Sequence, residues 1–156
     1  MLILEIPGRN RLVIENAVFD YNGTLAVDGV MEPNTKDVLA KLAELVNVYI
    51  LTADTHGTVR QQCSGLAVHV STFPGTDASQ QKATIIKELG PEKTLSVGNG
   101  FNDIAMSRLA ALSIGLIGSE GCSGQLLTVC DIVVSSLKDV FNLLLHTTRI
   151  KATLRS

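Results

Sequence analysis

The sequence predicts an α/β protein, a three-layer α/β/α sandwich built on a mainly parallel sheet. Short apolar runs alternate with amphipathic segments along the chain, which is the pattern of βαβ units. Most of these runs are hydrophobic on both faces, as are strands of a parallel sheet that is covered on both sides. The 156 residues suffice for one sizeable core. No linker, repeat or low-complexity tract divides the chain, so we expect a single domain over residues 1–156.

The N-terminal segment predicts a hairpin followed by a buried strand and a helix. Leu2–Ile6 and Arg11–Ile14 flank a Pro-Gly-Arg-Asn turn, which favours a β-hairpin at one edge of the sheet. The apolar run Ala17–Asp20 predicts the central strand. Pro33-Asn34-Thr35 predicts the start of a helix, because apolar residues then recur at helical spacing.

From residue 47 onward the pattern alternates between strand and helix. Strands are predicted at Asn47–Thr52, Leu66–Ser71, Thr94–Gly98, Leu112–Ile117 and Asp131–Val134. Helices are predicted near Thr58–Cys63, Asp77–Leu89, Asn102–Ala110, Ser123–Val129 and Leu137–His146. The three cations of the basic tail Arg149–Arg155 are interpreted as a solvated face and not as a partner site.

Composition and charge exclude several classes of protein. A net charge of −2 without a basic cluster argues against nucleic-acid binding. No apolar stretch approaches the roughly 20 residues of a membrane span, and the N-terminus lacks the layout of a signal peptide. Cys63, Cys122 and Cys130 are scattered and odd in number, which favours reduced thiols over disulfides. These observations predict a cytoplasmic protein that binds neither nucleic acid nor membrane.

Three predicted strands end in residues suited to a phosphate group. Asp20 ends the first of these strands and is followed by Gly23-Thr24, which offers backbone N–H groups and a hydroxyl. Thr52 ends the second strand, and the turn Gly98–Asp103 follows the third. Because the carboxyl ends of parallel strands lie on one side of a sheet, we expect these residues to form one site.

Lys82 is expected to join this site from a neighbouring helix. It shares the apolar stripe of the helix with Ala78, Ile85 and Ile86, whereas Lys87 falls on the opposite face. A lysine on an apolar stripe is costly unless it meets an anion. The alternative is that its stem is buried while its ammonium reaches water. The three strand ends favour the role in phosphate binding.

Taken together, these motifs resemble those of the haloacid dehalogenase-like (HAD) superfamily of phosphotransferases. They are Asp20-Tyr21-Asn22-Gly23-Thr24-Leu25, Leu51-Thr52-Ala53, Lys82 and Gly98-Asn99-Gly100-Phe101-Asn102-Asp103. The last turn is most similar to that of the phosphorylation domain of P-type ATPases and of their soluble relatives. The resemblance implies a Rossmann-like HAD fold. The spacing between the motifs leaves no room for a cap domain.

The resemblance also implies a set of site residues. The catalytic positions would be Asp20 as nucleophile, Asn22 and Lys82. The phosphate-binding residues would be Gly23, Thr24, Thr52, Ala53, Lys82 and Asn102. Mg²⁺ would be held by Asp20, by Asn22 through its backbone carbonyl, by Asn99 and by Asp103, the last of these either directly or through water.

Two positions that are usually acidic in the superfamily are amides in this chain. Asn22 stands where phosphatases carry their acid–base aspartate, and an amide cannot transfer protons, so we expect slow turnover. Asp54 is a candidate substitute acid. Asn99 replaces a direct metal ligand, which should weaken Mg²⁺ binding. His56 could line the mouth of the pocket, and the loop Ala26–Met31 is a candidate flap.

Two functions remain open at this stage. The first is a Mg²⁺-dependent phosphatase or hydrolase that forms an aspartyl-phosphate at Asp20, on a phosphorylated small-molecule or protein substrate. The second is a catalytically degenerate phosphate- or Mg²⁺-binding regulatory or scaffolding domain. A dinucleotide-binding protein is disfavoured, because the first βα turn lacks Gly-x-Gly-x-x-Gly. A domain without a cap needs water excluded by other means, so a homo-oligomer is expected.

Overall fold

A parallel sheet of six strands forms the centre of the computed structural model, which describes residues 1–53 and 57–156. A small antiparallel hairpin, β1 (Leu2–Leu4) and β2 (Leu12–Ile14), precedes it. The strands of the large sheet are β3 (Asn16–Asp20), β4 (Asn47–Thr52), β5 (Val68–Thr72), β6 (Thr94–Gly98), β7 (Leu112–Leu116) and β8 (Ile132–Val134). Their order across the sheet is β5-β4-β3-β6-β7-β8. The predicted α/β fold with a mainly parallel sheet is confirmed.

Helices cover both faces of the sheet. They are α1 (Pro33–Ala43), α2 (Val59–Gln62), α3 (Ala78–Leu89), α4 (Ile104–Leu109), α5 (Gly124–Leu127), α6 (Leu137–Leu145) and α7 (Thr148–Leu154). Helices α1 and α6 pack on one face, and α3 and α4 pack on the other. Two start signals are visible in the sequence: Pro33 opens α1, and the Ser136 hydroxyl caps α6 by accepting from the Asp139 N–H.

Strand β3 is buried along its whole length and divides the core in two. Ala17 and Phe19 point into the larger cluster, on the side of α1 and α6. Val18 points to the opposite side, where it packs with Ile86 of α3 and Met106 of α4. Alternate residues of one strand thus face two apolar layers, which explains why the sequence is hydrophobic without a period of two.

The strand order reverses between β3 and β6. From β3 the chain proceeds outward through β4 to β5, and it then returns to place β6 on the other side of β3. Such a switch point leaves a crevice at the carboxyl ends of the two central strands, because their following loops depart in opposite directions. The crevice lies where Asp20 ends β3 and Gly98 ends β6.

Two features of the fold differ from the sequence-based expectation. The N-terminal hairpin forms a two-stranded sheet of its own instead of adding strands to the large sheet. The basic tail forms α7, a helix that was not predicted from the sequence, and its Arg149 and Arg155 side chains are exposed as expected for a solvated face. Ile150 and Leu154 are buried on the other side of this helix. Their spacing of four residues is a helical signal, but Lys151 and the flanking arginines obscure it.

Among residues 1–53 and 57–156, no helix is both long and apolar enough to cross a membrane.

The far end of β3 from the crevice holds a buried polar network around Asn16. The Asn16 side-chain amide donates to the Leu89 carbonyl at 3.1 Å and lies 3.4 Å from the Thr94 hydroxyl. Its carbonyl oxygen accepts from the Asn47 amide at 3.1 Å. The network therefore joins the starts of three neighbouring strands to the end of α3.

Replacing Asn16 should destabilise the fold. Asn16→Ala removes a buried side chain together with its hydrogen bonds to the partly buried Leu89 carbonyl and the buried Thr94 hydroxyl, so the free energy of unfolding should fall by about 1–3 kcal/mol. Asn47→Ala is the matched control, because Asn47 is exposed and water can replace its hydrogen bond. Urea unfolding of both variants measures the difference. Equal losses would contradict a structural role for the network.

Candidate active site

Three neighbouring strands deliver polar residues to the crevice. Asp20 is the last residue of β3, and Thr52 is the last residue of β4, which pairs with it. Gly98 ends β6 on the other side, and a short 3₁₀ turn, Phe101–Asp103, follows it. The predicted convergence of the three strand ends is therefore present in the structure.

Lys82 of α3 lies at the centre of the site, between two carboxylates. Its Nζ donates to Asp20 Oδ1 at 2.5 Å and to Asp103 Oδ1 at 2.6 Å. The Asn102 Oδ1 lies 3.4 Å from the same nitrogen. The Lys82 side chain is completely buried, so the ammonium does not reach water. Of the two sequence-based alternatives, the contact with anions is the one observed.

The electrostatics of this cluster follow from burial and from its unequal charges. Burial alone lowers the pKa of Lys82, but the two carboxylates outweigh it and bring that pKa above its ordinary value. Burial raises the pKa of Asp20 to about 7, and Asp103 adds to the rise while Lys82 opposes it. With both carboxylates ionised, the cluster carries one uncompensated negative charge, which an additional cation would neutralise.

Asp103 organises the turn that follows β6. Its Oδ1 accepts from Lys82, and its Oδ2 accepts from the backbone N–H groups of Asn99 and Gly100 at 3.0 and 2.9 Å. A Cβ at position 98 would lie 2.5 Å from this carboxylate, so only glycine fits there. Asp103 is fully buried and does not line the crevice. Its predicted role as a metal ligand stays a prediction. From this buried position the carboxylate would act on a metal ion through a neighbouring group.

Thr24 and Asn99 form the wall of the site opposite Lys82. The Thr24 hydroxyl lies 3.4 Å from Asp20 Oδ2 and 3.1 Å from Asn99 Oδ1. The Asn99 amide nitrogen donates to the Gly121 carbonyl at 3.2 Å, which orients its oxygen toward the site. Gly23 permits this contact, because a Cβ there would lie 2.3 Å from the Asn99 amide.

Asn22 faces the site from the β4 side. Its amide nitrogen lies 3.4 Å from the Thr52 hydroxyl, at the limit of a hydrogen bond. The residue lines the crevice together with Asp20. Its side chain can donate a hydrogen bond but cannot exchange a proton, and the expectation that an acid normally stands at this position stays a prediction.

An open cavity of about 430 Å³ lies above Asp20. Its lining is Asp20, Asn22, Ala53, Asn99, Gly100, Phe101 and Asn102. Among the predicted phosphate-binding residues, Ala53 and Asn102 line this cavity, and Gly23 and Thr24 line an adjoining one of about 270 Å³. Thr52 and Lys82 are fully buried beneath it. The phosphate-binding roles themselves stay predictions.

The sequence analysis missed Phe101. Its side chain is 66% exposed at the rim of the cavity, although it follows directly after the polar Gly-Asn-Gly run. An aromatic residue inside an otherwise polar turn was the available signal. Asp54 and His56, the candidate acid and the candidate residue at the pocket mouth, lie outside the described residues.

The candidate flap Ala26–Met31 is tied to the body of the protein. The Gln62 side chain accepts from the Met31 N–H and donates to the Gly29 carbonyl, both at 2.7 Å. The Tyr21 hydroxyl also donates to the Gly29 carbonyl, and the Glu120 carboxylate accepts from the Asp28 N–H. Any opening of this loop requires these hydrogen bonds to break. Its movement stays a prediction.

Comparison with solved structures assigns the fold. A cobalt-bound deoxy-D-mannose-octulosonate 8-phosphate phosphatase from Haemophilus influenzae superposes with a TM-score of 0.71 over 92% of this chain and 94% of its own, at 14% identity. A 3-deoxy-D-manno-octulosonate 8-phosphate phosphatase from Moraxella catarrhalis, in complex with magnesium, phosphate and its sugar acid, gives 0.68 over 91% and 94%, at 19% identity. A Streptomyces avermitilis protein assigned to the HAD family of hydrolases gives 0.63 over 85% and 79%, at 19% identity.

The chain has the HAD fold. This confirms the superfamily resemblance at the level of structure. In sequence, an uncharacterized protein of Methanocaldococcus jannaschii is 40% identical over 78 residues, which is 47% of this chain and 84% of that protein. The two proteins belong to one family. No protein-family model matches the chain.

The residues at the site fit a weakly held divalent metal ion. Mg²⁺ takes few carboxylates and keeps several waters or substrate oxygens, so one carboxylate with neutral oxygen donors can hold it. Asp20 and Asn99 bring such oxygens to one cavity of this HAD domain, next to a cluster with an uncompensated negative charge. Within the described residues, no three His, Cys, Asp or Glu side chains form a metal cluster. The oxygen atoms available to coordinate a metal ion therefore carry little negative charge.

Substitution of Gly23 should damage the site more than substitution of a comparable glycine. Gly23 and Gly29 have φ angles of +77° and +75°, so alanine at either position incurs a similar backbone cost, about 1–2 kcal/mol. Only at Gly23 would the new methyl also collide with Asn99, because nothing lies within 4 Å of a Cβ at Gly29. Gly23→Ala should therefore lose about 1–3 kcal/mol more in urea unfolding than Gly29→Ala. Equal losses of unfolding free energy in the two variants would show that the Asn99 side chain moves aside without an energetic cost.

Proposed function

We propose that this protein is a Mg²⁺-dependent phosphoryl-transfer enzyme that hydrolyses a phosphate ester or acyl phosphate through an aspartyl-phosphate at Asp20. The observation that carries the proposal is the environment of Asp20. This carboxylate is held by a buried ammonium on one oxygen, and it lines an open cavity at the topological switch point. A carboxylate so oriented is suited to covalent catalysis, which divides one difficult displacement into two steps.

The residues around Asp20 support both steps of this reaction. Lys82 engages Asp20 Oδ1, which leaves Oδ2, on the side of Thr24, to attack phosphorus. The bond from phosphorus to the leaving oxygen then breaks, and that oxygen takes its proton from solvent. In the second step water attacks the phosphorus of the aspartyl-phosphate, which releases phosphate and restores the Asp20 carboxylate. Thr52, Ala53 and Asn102 are the proposed contacts of the transferring phosphoryl oxygens.

Slow turnover is part of the proposal. Asn22 occupies the place beside Thr52 from which an acid would protonate the leaving group and later activate water. General acid–base catalysis contributes about 10²–10⁴-fold in rate, so both steps lose a substantial factor without it. A leaving group that departs without a proton, as from an acyl or aryl phosphate, suffers less. The domain should therefore accept a phosphoryl group faster than it releases phosphate.

A bound Mg²⁺ would supply charge neutralisation for the phosphoryl group and for Asp20. Asp20, the backbone carbonyl of Asn22 and Asn99 are the residues proposed to hold it, with Asp103 acting through the turn that it organises. The magnesium in the Moraxella catarrhalis phosphatase and the cobalt in the Haemophilus influenzae enzyme support a divalent ion in this fold. The neutral Asn99 oxygen predicts weak affinity, which a bound phosphate group would raise.

The finer likeness to soluble relatives of the P-type ATPase phosphorylation domain also belongs to this proposal. It is supported by the turn Asn99–Asp103 and by the non-acidic Asn22, since a long-lived aspartyl-phosphate is useful in such proteins. We further propose that the substrate is a phosphorylated small molecule or protein, that the protein acts in the cytoplasm, and that it forms a homo-oligomer.

The alternative is a degenerate domain that binds phosphate or Mg²⁺ without turnover. The two amides, Asn22 and Asn99, favour it, because each removes a charge that the reaction uses. The intact Lys82 cluster argues against it, since a domain that only binds phosphate has no need of a nucleophile held by a buried ammonium.

Trapping of the covalent intermediate separates these alternatives. Wild-type protein incubated with Mg²⁺ and acetyl phosphate should gain one acid-stable, base-labile phosphoryl group, detected by intact-protein mass spectrometry. Asp20→Asn should gain none, because an amide is a poor nucleophile, and chelation of the metal should abolish labelling. A folded wild type with neither labelling nor turnover would establish the binding domain instead.

Restoring an acid at position 22 should speed release of phosphate. In Asn22→Asp the trapped aspartyl-phosphate should decay about 10²-fold faster, since a carboxylate beside Thr52 can activate water. Asn102→Asp is the matched control: it adds the same charge to the same cavity, but near Lys82. The decay rate of the labelled protein measures both effects. Equal acceleration would show that charge alone, and not proton transfer, is responsible.

A further inference from the structure

A long groove between α3 and α4 adjoins the candidate active site. This α3–α4 groove encloses about 720 Å³ and is lined on the α3 side by Gln80, Ala83 and Lys87, and on the α4 side by Ile104 and Arg108. We propose that it binds the non-reacting end of the substrate, and that the substrate is an elongated phosphate monoester with an apolar body and a second anionic group at its far end. The inference rests on the proposed function and specifies its substrate class.

Phe101 connects the groove to the site of chemistry. It lines both the cavity above Asp20 and the α3–α4 groove, and the residue is 66% exposed. A molecule whose phosphate lies at Asp20 can therefore continue past the phenyl ring into the groove. An exposed aromatic ring provides contact area for an apolar or ring-shaped body.

The groove has a defined length. Along α3 it runs from Ser79 to Lys87, which is about 12 Å at the rise of an α-helix. Along α4 and the preceding turn it runs from Phe101 to Leu109, a similar distance. The two cations thus lie at the end of the groove that is remote from Phe101. A substrate that uses them needs about 10 Å between Phe101 and its second charged group.

The charges of the groove specify an anion at that end. Lys87 and Arg108 are both exposed, and within the described residues neither forms an ion pair with a carboxylate. Among the described residues that line the groove there is no aspartate or glutamate. The floor between Phe101 and the cations is half-buried and apolar, with Ile104 and Leu109. Complementarity therefore demands an apolar middle and an anionic end.

The other cavity beside the site lacks these properties. It encloses about 270 Å³, and its lining places Glu32 with Lys138, so its charges balance. The α3–α4 groove falls within the 300–1,000 Å³ or so that is usual for small-molecule sites. Since the site itself is open, binding energy from a remote part of the substrate is the available means of selecting it.

A length series of alkane-1,n-diol bisphosphates tests the proposal, with the diol monophosphates of equal length as partners. The ratio of kcat/KM for bisphosphate over monophosphate should rise with chain length and reach a maximum once the second phosphate spans the groove. In the double variant Lys87→Ala/Arg108→Ala this ratio should fall by about tenfold, the scale of two partly exposed ion pairs. The double variant Lys41→Ala/Arg149→Ala removes the same charge from exposed positions on α1 and α7, and should keep the wild-type ratio.

Two readouts keep this test separate from that of the proposed function. Turnover of p-nitrophenyl phosphate reports on the chemistry at Asp20 without any occupant of the groove. Equilibrium binding of each bisphosphate and monophosphate, measured calorimetrically on wild type and on Asp20→Asn, reports on the groove without turnover. Tighter binding of a bisphosphate than of the matching monophosphate would support the role of the groove in substrate binding, even if the protein has no activity. A preference that is absent at all lengths, or that is equal in Lys87→Ala/Arg108→Ala and wild type, would overturn the inference.

Discussion

The buried ammonium of Lys82 is the interaction on which the site depends. It joins β3, α3 and the turn after β6 through contacts of 2.5 and 2.6 Å to Asp20 and Asp103, and it is inaccessible to water. Breaking a buried ion pair by removing one partner costs about 3–5 kcal/mol, because the remaining charge stays buried. The same contact holds Asp20, the proposed nucleophile, in place, so the geometry of the site and the stability of the fold are coupled. The excess carboxylate charge in this cluster is what a metal ion would balance.

The reversal of strand order places that cluster where a ligand can reach it. Asp20, Thr52 and Gly98 end adjacent strands, whereas the helices that follow them diverge and leave the crevice open. Two glycines then let polar groups approach closely: Gly98 accommodates the Asp103 carboxylate and Gly23 accommodates the Asn99 amide. The residues of the candidate site are far apart in sequence because each comes from a different strand end or from the crossover helix.

The strands, the helix carrying Lys82 and the convergence of the strand ends were predictable from the sequence, because buried parallel strands and apolar helix faces leave strong periodic signals. Helix α7 was not predicted, since Ile150 and Leu154 are too few to stand out among cations. The anchoring of the loop by Gln62 was also beyond prediction, because it depends on contacts between segments distant in the chain, which local patterns do not encode. Phe101 did leave a local signal, an aromatic residue inside a polar turn, but it was not interpreted as part of the site. Lys82 was expected to point toward the site, but its complete burial was not foreseen. That burial depends on simultaneous contacts of its ammonium with the carboxylates of Asp20 and Asp103.

The two amides and the α3–α4 groove lead to one view of how such a site could be selective. Under the proposed mechanism, the amide at Asn22 slows departure of poor leaving groups, so the chemistry alone would favour activated phosphates of any shape. The cavity above Asp20 is open, so it does not select a substrate by enclosing it. Selectivity then has to come from contacts with parts of the substrate that are remote from phosphorus. Such contacts raise the reaction rate only when they hold the phosphate in line with Asp20. Phe101 is positioned for this, because it touches both spaces and can orient the molecule between them. In such an arrangement, the outer faces of α3 and α4 determine substrate specificity. The inner faces of both helices pack on the sheet, and that of α3 also carries Lys82.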